Sequence, residues 1–137
     1  MSFEPIIIIA GEPNSIFFEI FLKTIKKKSF KSPIILIASK SHIQKQIKFF
    51  KSKIKIHEID YSKKKINKNK LKKINLINVE YKYDKLFEKI SDKSNSYIKN
   101  CFKISLEILN KKITNKLING PVSKKYFLKK RFIGITE

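Results

Sequence analysis

The sequence predicts an α/β fold, a mostly parallel sheet with helices on both faces. Two β-branched runs, residues 5–10 and 33–39, are apolar at alternating and intervening positions alike, the pattern of a strand buried inside a parallel sheet. Each run is followed by apolar residues at helical spacing. A further helix–strand step closes on a Gly-Pro turn late in the chain. Strands that alternate with helices in this way join through crossovers into one sheet.

The first run contains four consecutive isoleucines and breaks at Gly11-Glu12-Pro13-Asn14-Ser15. Asn14 or Ser15 is the expected N-cap of the next helix, because a short side-chain oxygen accepts from the unpaired amides of a first turn. Ile16, Phe17, Ile20, Phe21 and Ile25 follow at helical spacing. Lys26 to Lys28 suit its carboxyl end, where the dipole favours cations. The second run leads into a helix with Ile43, Ile47 and Phe50 on one face, and Ile54, Ile56 and Ile59 suggest a short third strand. Residues 61–73 are rich in Lys and Asn and read as an exposed connection. A fourth strand is expected over 76–81. The clearest helix, 94–112, places Ile98, Cys101, Phe102, Leu106, Leu109 and Ile113 on one face. A last short strand at 116–119 ends at Gly120-Pro121, and a further helix is expected over 123–130.

At 137 residues and 42% hydrophobic content, the chain can bury the core of one α/β domain and lacks the composition of a disordered segment. The formal charge of +21 points on its own to nucleic acid or an anionic surface. Yet Arg131 is the one arginine, and Lys, Ile, Asn, Phe and Tyr, all written by A/T-rich codons, are raised together. Base readout leans on the arginine fork. A solvated lysine surface is therefore favoured, with nucleic-acid binding kept as the alternative. Cys101 stands alone, so no disulfide framework or cysteine metal site is expected, and a reducing cytoplasm fits. The opening residues lack the basic segment and apolar length of a secretory leader, and no apolar run could span a bilayer, so no membrane partner is expected.

In an open α/β sheet ligands collect at the carboxyl ends of the strands. Two segments fall there: Gly11, Glu12 and Pro13 in the turn after the first strand, and Gly120 to Lys124 after the last. Helix N-termini after such turns offer backbone amides, and Lys124 adds a cation, a combination suited to phosphate or carboxylate. Simple strand-to-helix turns would look the same. His42 and His57 lie too far apart for a local metal motif, and both read as surface residues. Cys101 reads as core. Glu12 could serve as an acid or base or as a turn cap. Ser15, Ser39 and Ser123 show no base partner, and no catalytic residue is assigned.

Three stretches add a second line of argument: IIAGEPNSIFFEI at residues 8–20, INGPVSKK at 118–125 and FIGITE at 132–137. In order and spacing they resemble the 4-hydroxythreonine-4-phosphate dehydrogenase family. That family opens with Gly, Asp or Glu, Pro, Ala, a small residue, Ile, Gly, Pro, Glu. Gly11, Glu12, Pro13, Ile16 and Glu19 match, Ser15 takes the small position, and Phe17 and Phe18 replace the Gly and Pro. Gly120, Pro121, Val122 and Lys124 match its strand-end Gly-Pro-hydrophobic-x-Lys motif. The last stretch resembles Phe-x-Gly-His-Thr-Glu, with Ile135 at the His position and Thr136 retained.

The resemblance implies an incomplete isocitrate/isopropylmalate dehydrogenase-like fold. Residues 1–137 would form its N-terminal part, with the C-terminal metal- and cofactor-binding part absent. It implies NAD(P)-dependent oxidation of 4-phosphohydroxy-threonine in pyridoxal 5'-phosphate (vitamin B6) synthesis. It further implies a divalent metal held by histidines, a homodimer, and substrate contacts from Thr136, Lys124 and Gly120. Because the family's metal-binding histidines would lie beyond Glu137, the chain is expected to bind neither cofactor nor metal and to be inactive alone, as a truncated frame, a decayed gene or a partial sequence. A sheet cut in its middle is also expected to leave an open edge.

Overall fold

The structure, a computed structural model, describes residues 3–128. Its strands are β1 (Ile6–Ile9), β2 (Ile34–Ala38), β3 (His57–Glu58), β4 (Ile74–Asn78) and β5 (Leu117–Asn119). Its α-helices are α1 (Phe17–Lys27), α2 (Lys40–Phe49) and α3 (Asn95–Asn110). Among the described residues the strands form one all-parallel sheet in the order β3-β4-β2-β1-β5, as the fully apolar runs require.

Alternation along the strands divides the core into two layers. Ile8 and Ala10 from β1 and its end, with Leu36 and Ala38 of β2 and Leu76 of β4, face Phe18, Phe21 and Leu22 of α1 and Ile43 of α2. Ile7, Ile9, Ile35, Ile37 and Ile77 point the other way, onto Tyr97, Ile98, Cys101 and Ile108 of α3. Helices thus cover both faces. β2 leads into α2 on one face and the neighbouring β4 leads toward α3 on the other.

Several sequence expectations shift. The third strand is only two residues long: polar Lys55, His57 and Glu58 separate Ile54, Ile56 and Ile59 on this edge, and only His57 and Glu58 pair with β4. The fourth strand begins two residues early, at Ile74, because Asn75 can be buried there: its amide donates to Ile34 O at 2.9 Å and to Lys72 O at 2.8 Å. Neither Asn14 nor Ser15 is the N-cap of α1. Ile16 takes that place, while Ser15 Oγ accepts from Phe17 N at 3.3 Å. Leu106 lies on the outer side of α3 at 55% exposure, and Ser105 and Ile108 take the inner face. Of the expected helix over 123–130, the described part is a single π-turn, Lys124–Leu128.

Candidate functional site

Parallel pairing of Ile9 with Asn119 sets the turns after β1 and β5 side by side. Two glycines let them touch. Gly11 sits at φ +76°, and a Cβ there would lie 2.5 Å from Pro121 O. A Cβ on Gly120 would run into the carbonyl of Ala10. The backbones are then stitched: Gly120 N donates to Ile9 O at 2.6 Å and Glu12 N to Pro121 O at 2.8 Å. Gly11, Glu12, Pro13 and Gly120 are therefore brought together, with exposed Lys124 four residues past Gly120. Thr136 and Ile135 lie outside the described residues.

Glu12 is 4% exposed, so its carboxylate must find donors inside the protein. Oε2 accepts from Ser94 Oγ at 2.8 Å, and Oε1 accepts from Asn14 N and Nδ2 at 3.3 and 3.4 Å. Of the two roles open to it, the bonds show the turn cap. They also tie the first turn to the start of α3. Ser15 N donates to Glu12 O at 3.1 Å, so the amides of Glu12, Asn14, Ser15 and Phe17 are all engaged. The amides of Ile16, Phe18 and Glu19 have no intramolecular acceptor among the described residues. These amides, and not those of the glycine turn, are the ones left open at the start of α1.

Residues 79–94 run over the strand ends from β4 to α3. Glu88 N donates to Asn14 Oδ1 at 3.0 Å, and Leu86 O accepts from His42 Nε2 at 3.1 Å. His42 is 2% exposed, which corrects its reading as a surface residue: the polar helix turns His42 and Gln46 inward together. Its Nδ1 accepts from Gln46 Nε2 at 2.9 Å, so the two partners together select the neutral Nε2–H tautomer. Burial lowers its pKa from the usual 6.5. The rings of Tyr83 and Tyr81 pack edge-on at 4.7 and 5.8 Å. Asn14, His42 and Ser94 escaped sequence reasoning because their partners are 44 to 82 residues away. Cys101 is core as expected, its thiol pushed up to about 12 by burial.

Among the described residues no group of three or more His, Cys, Asp or Glu side chains could hold a metal ion. With His42 already engaged at both nitrogens and His57 exposed on an edge strand, these residues do not fit the divalent metal that the resemblance implies. Among the same residues no helix is long and apolar enough to cross a membrane.

No known family model and no curated protein matches the sequence. Solved structures do match. A 4-hydroxythreonine-4-phosphate dehydrogenase from Burkholderia phymatum superposes with a TM-score of 0.77 at 15% identity, over 100% of this chain and 42% of its own. The same dehydrogenase from Klebsiella pneumoniae superposes with a TM-score of 0.71 at 13% identity, over 90% and 38%. A Salmonella typhimurium protein assigned the same activity gives a TM-score of 0.71 at 14% identity, again over 90% and 38%. The likeness is one of fold: this α/β sheet matches part of a dehydrogenase, and the chain spans about two fifths of those structures.

Proposed function

We propose that the chain is the N-terminal α/β part of an NAD(P)-dependent dehydrogenase for a phosphorylated hydroxy amino acid, 4-phosphohydroxy-threonine, and that it is inactive alone. The observation that carries this reading is the match of the whole chain to a 4-hydroxythreonine-4-phosphate dehydrogenase fold, combined with the position of both glycine-proline turns at adjacent strand ends. A nicotinamide cofactor, when bound, supplies the oxidising power. What these residues supply is an anchor: the positive end of α1 and the Lys124 ammonium attract the substrate phosphate, while the Gly11–Gly120 contact fixes the spacing of the turns. Thr136 is proposed as a further substrate contact. A complete protein would be a cytoplasmic homodimer of vitamin B6 synthesis.

The test is a binding and turnover assay on the purified chain. 4-phosphohydroxy-threonine should bind, Lys124→Gln should weaken it, and neither NAD nor NADP should be reduced. Sustained turnover would overturn the inactivity, and binding indifferent to Lys124 would overturn the anchor.

A further inference from the structure

We propose that the face built from the end of α2 and residues 84–90 binds single-stranded nucleic acid without reading its sequence. Phe49 and Phe87 are 60% and 42% exposed, though aromatic side chains are usually buried. Their ring centroids are 5.1 Å apart at 72°, and Phe50 backs both at 5.0 and 6.1 Å. The rings are therefore held by each other and still offer surface to solvent.

Lysines flank them on both segments. Lys48 and Lys51 bracket the Phe49-Phe50 pair, and Lys85 and Lys89 stand two residues either side of Phe87. All four are exposed, and the ion pairs among the described residues engage other lysines. The acids within the segment, Asp84 and Glu88, both pair with Lys93 at 3.2 Å. A groove of about 650 Å³ continues the face: Phe50, Ile54, Lys26, Lys51 and Lys53 line it, and its one carboxylate, Glu19, is paired with Lys23 at 2.8 Å.

Unneutralised lysines beside exposed rings complement a polyanion whose units carry flat π-faces. Each base can stack on a ring while its phosphate meets a lysine. Lysine is a point charge and lacks the planar fork that reads base edges, so the binding tolerates any sequence. A membrane is the weaker fit, because two phenyl rings give too little apolar area to anchor a chain at an interface. An acidic peptide would match the charge and leave the rings without planar partners.

The test measures fluorescence anisotropy of a labelled oligothymidylate, about 15 nucleotides long to match common single-strand site sizes, with the full chain at low salt. The single strand should bind more tightly than a duplex of the same length. Phe49→Ala with Phe87→Ala should weaken it about tenfold or more, with the salt dependence unchanged. Lys48→Gln and Lys51→Gln should each lower the slope of log affinity against log salt by about 0.7. A control on the far side, Lys111→Gln with Lys112→Gln, should lower affinity much less. Since all these side chains are exposed, melting curves should confirm that every variant folds. Equal binding of duplex and single strand, an unaffected phenylalanine variant, or an equal loss in the control would overturn the proposal. Phenylalanine-dependent binding to phosphatidylserine vesicles without oligonucleotide binding would overturn it in favour of a membrane surface.

Discussion

His42 shows how one buried side chain sets a pH dependence. Folded His42 is neutral and resists protonation, whereas the unfolded residue titrates near 6.5. The folded pKa is the lower of the two. Stability is therefore full above about pH 6.5 and falls as acid protonates the unfolded state preferentially, until the folded pKa is passed. Glu88 and Lys45 are the nearby charges, and they act in opposite directions. Melting temperature should drop between neutral pH and pH about 5.5, and His42→Gln should flatten that part of the curve. An unchanged slope in the variant would exclude His42 as the cause. At the strand ends the controlling residue is Gly120. Gly120→Ala drives a methyl into the Ala10 carbonyl, so denaturant unfolding should show a loss of about 1–3 kcal/mol or more.

At the level of elements, α3 separates what periodicity reveals from what packing decides. Ile98 and Cys101 were legible as inward residues, and both are 1% exposed. Leu106 was misread because hydrophobicity alone cannot distinguish the inner edge of a stripe from the outer one, and buried Ser105 carried no apolar signal; its hydroxyl donates to Phe102 O at 2.7 Å. Ile108→Ala should cost about 2–5 kcal/mol, while Leu106→Lys should stay within about 0.5 kcal/mol. Equal effects in chemical denaturation would contradict the assignment of faces. The helix ends tell a related story. With 3 glycines in the chain, lysines occupy left-handed positions that glycine usually fills, Lys51 at φ 53° after α2 and Lys112 at φ 58° after α3. Lys112→Gly should raise stability by up to about 1 kcal/mol, since glycine escapes the steric cost of that conformation.

For the whole molecule, the sheet was legible because fully apolar strands admit few alternatives to a parallel sheet covered on both faces. The two glycine turns were legible as a pair because glycine and proline are scarce. Their contacts were not: the Glu12–Ser94 and Asn14–Glu88 bonds join segments that no local pattern relates. Nor did the sequence reveal that most amides of the first turn are used internally, which leaves those of Ile16, Phe18 and Glu19 as the open ones among the described residues. The charge of +21 adds a field around this site that attracts any anion, so specificity has to be judged by place and not by affinity alone.

The most direct test of the central claim is a backbone-amide NMR titration of the chain with 4-phosphohydroxy-threonine, using inorganic phosphate as the reference. Saturable shifts concentrated at Ile16, Phe18 and Glu19 and at the residues from Val122 to Lys124, larger than those caused by phosphate, are the expected result. Shifts absent from these amides, or spread over the lysine surface as they are with phosphate, would contradict the claim that the joined strand ends recognise this substrate.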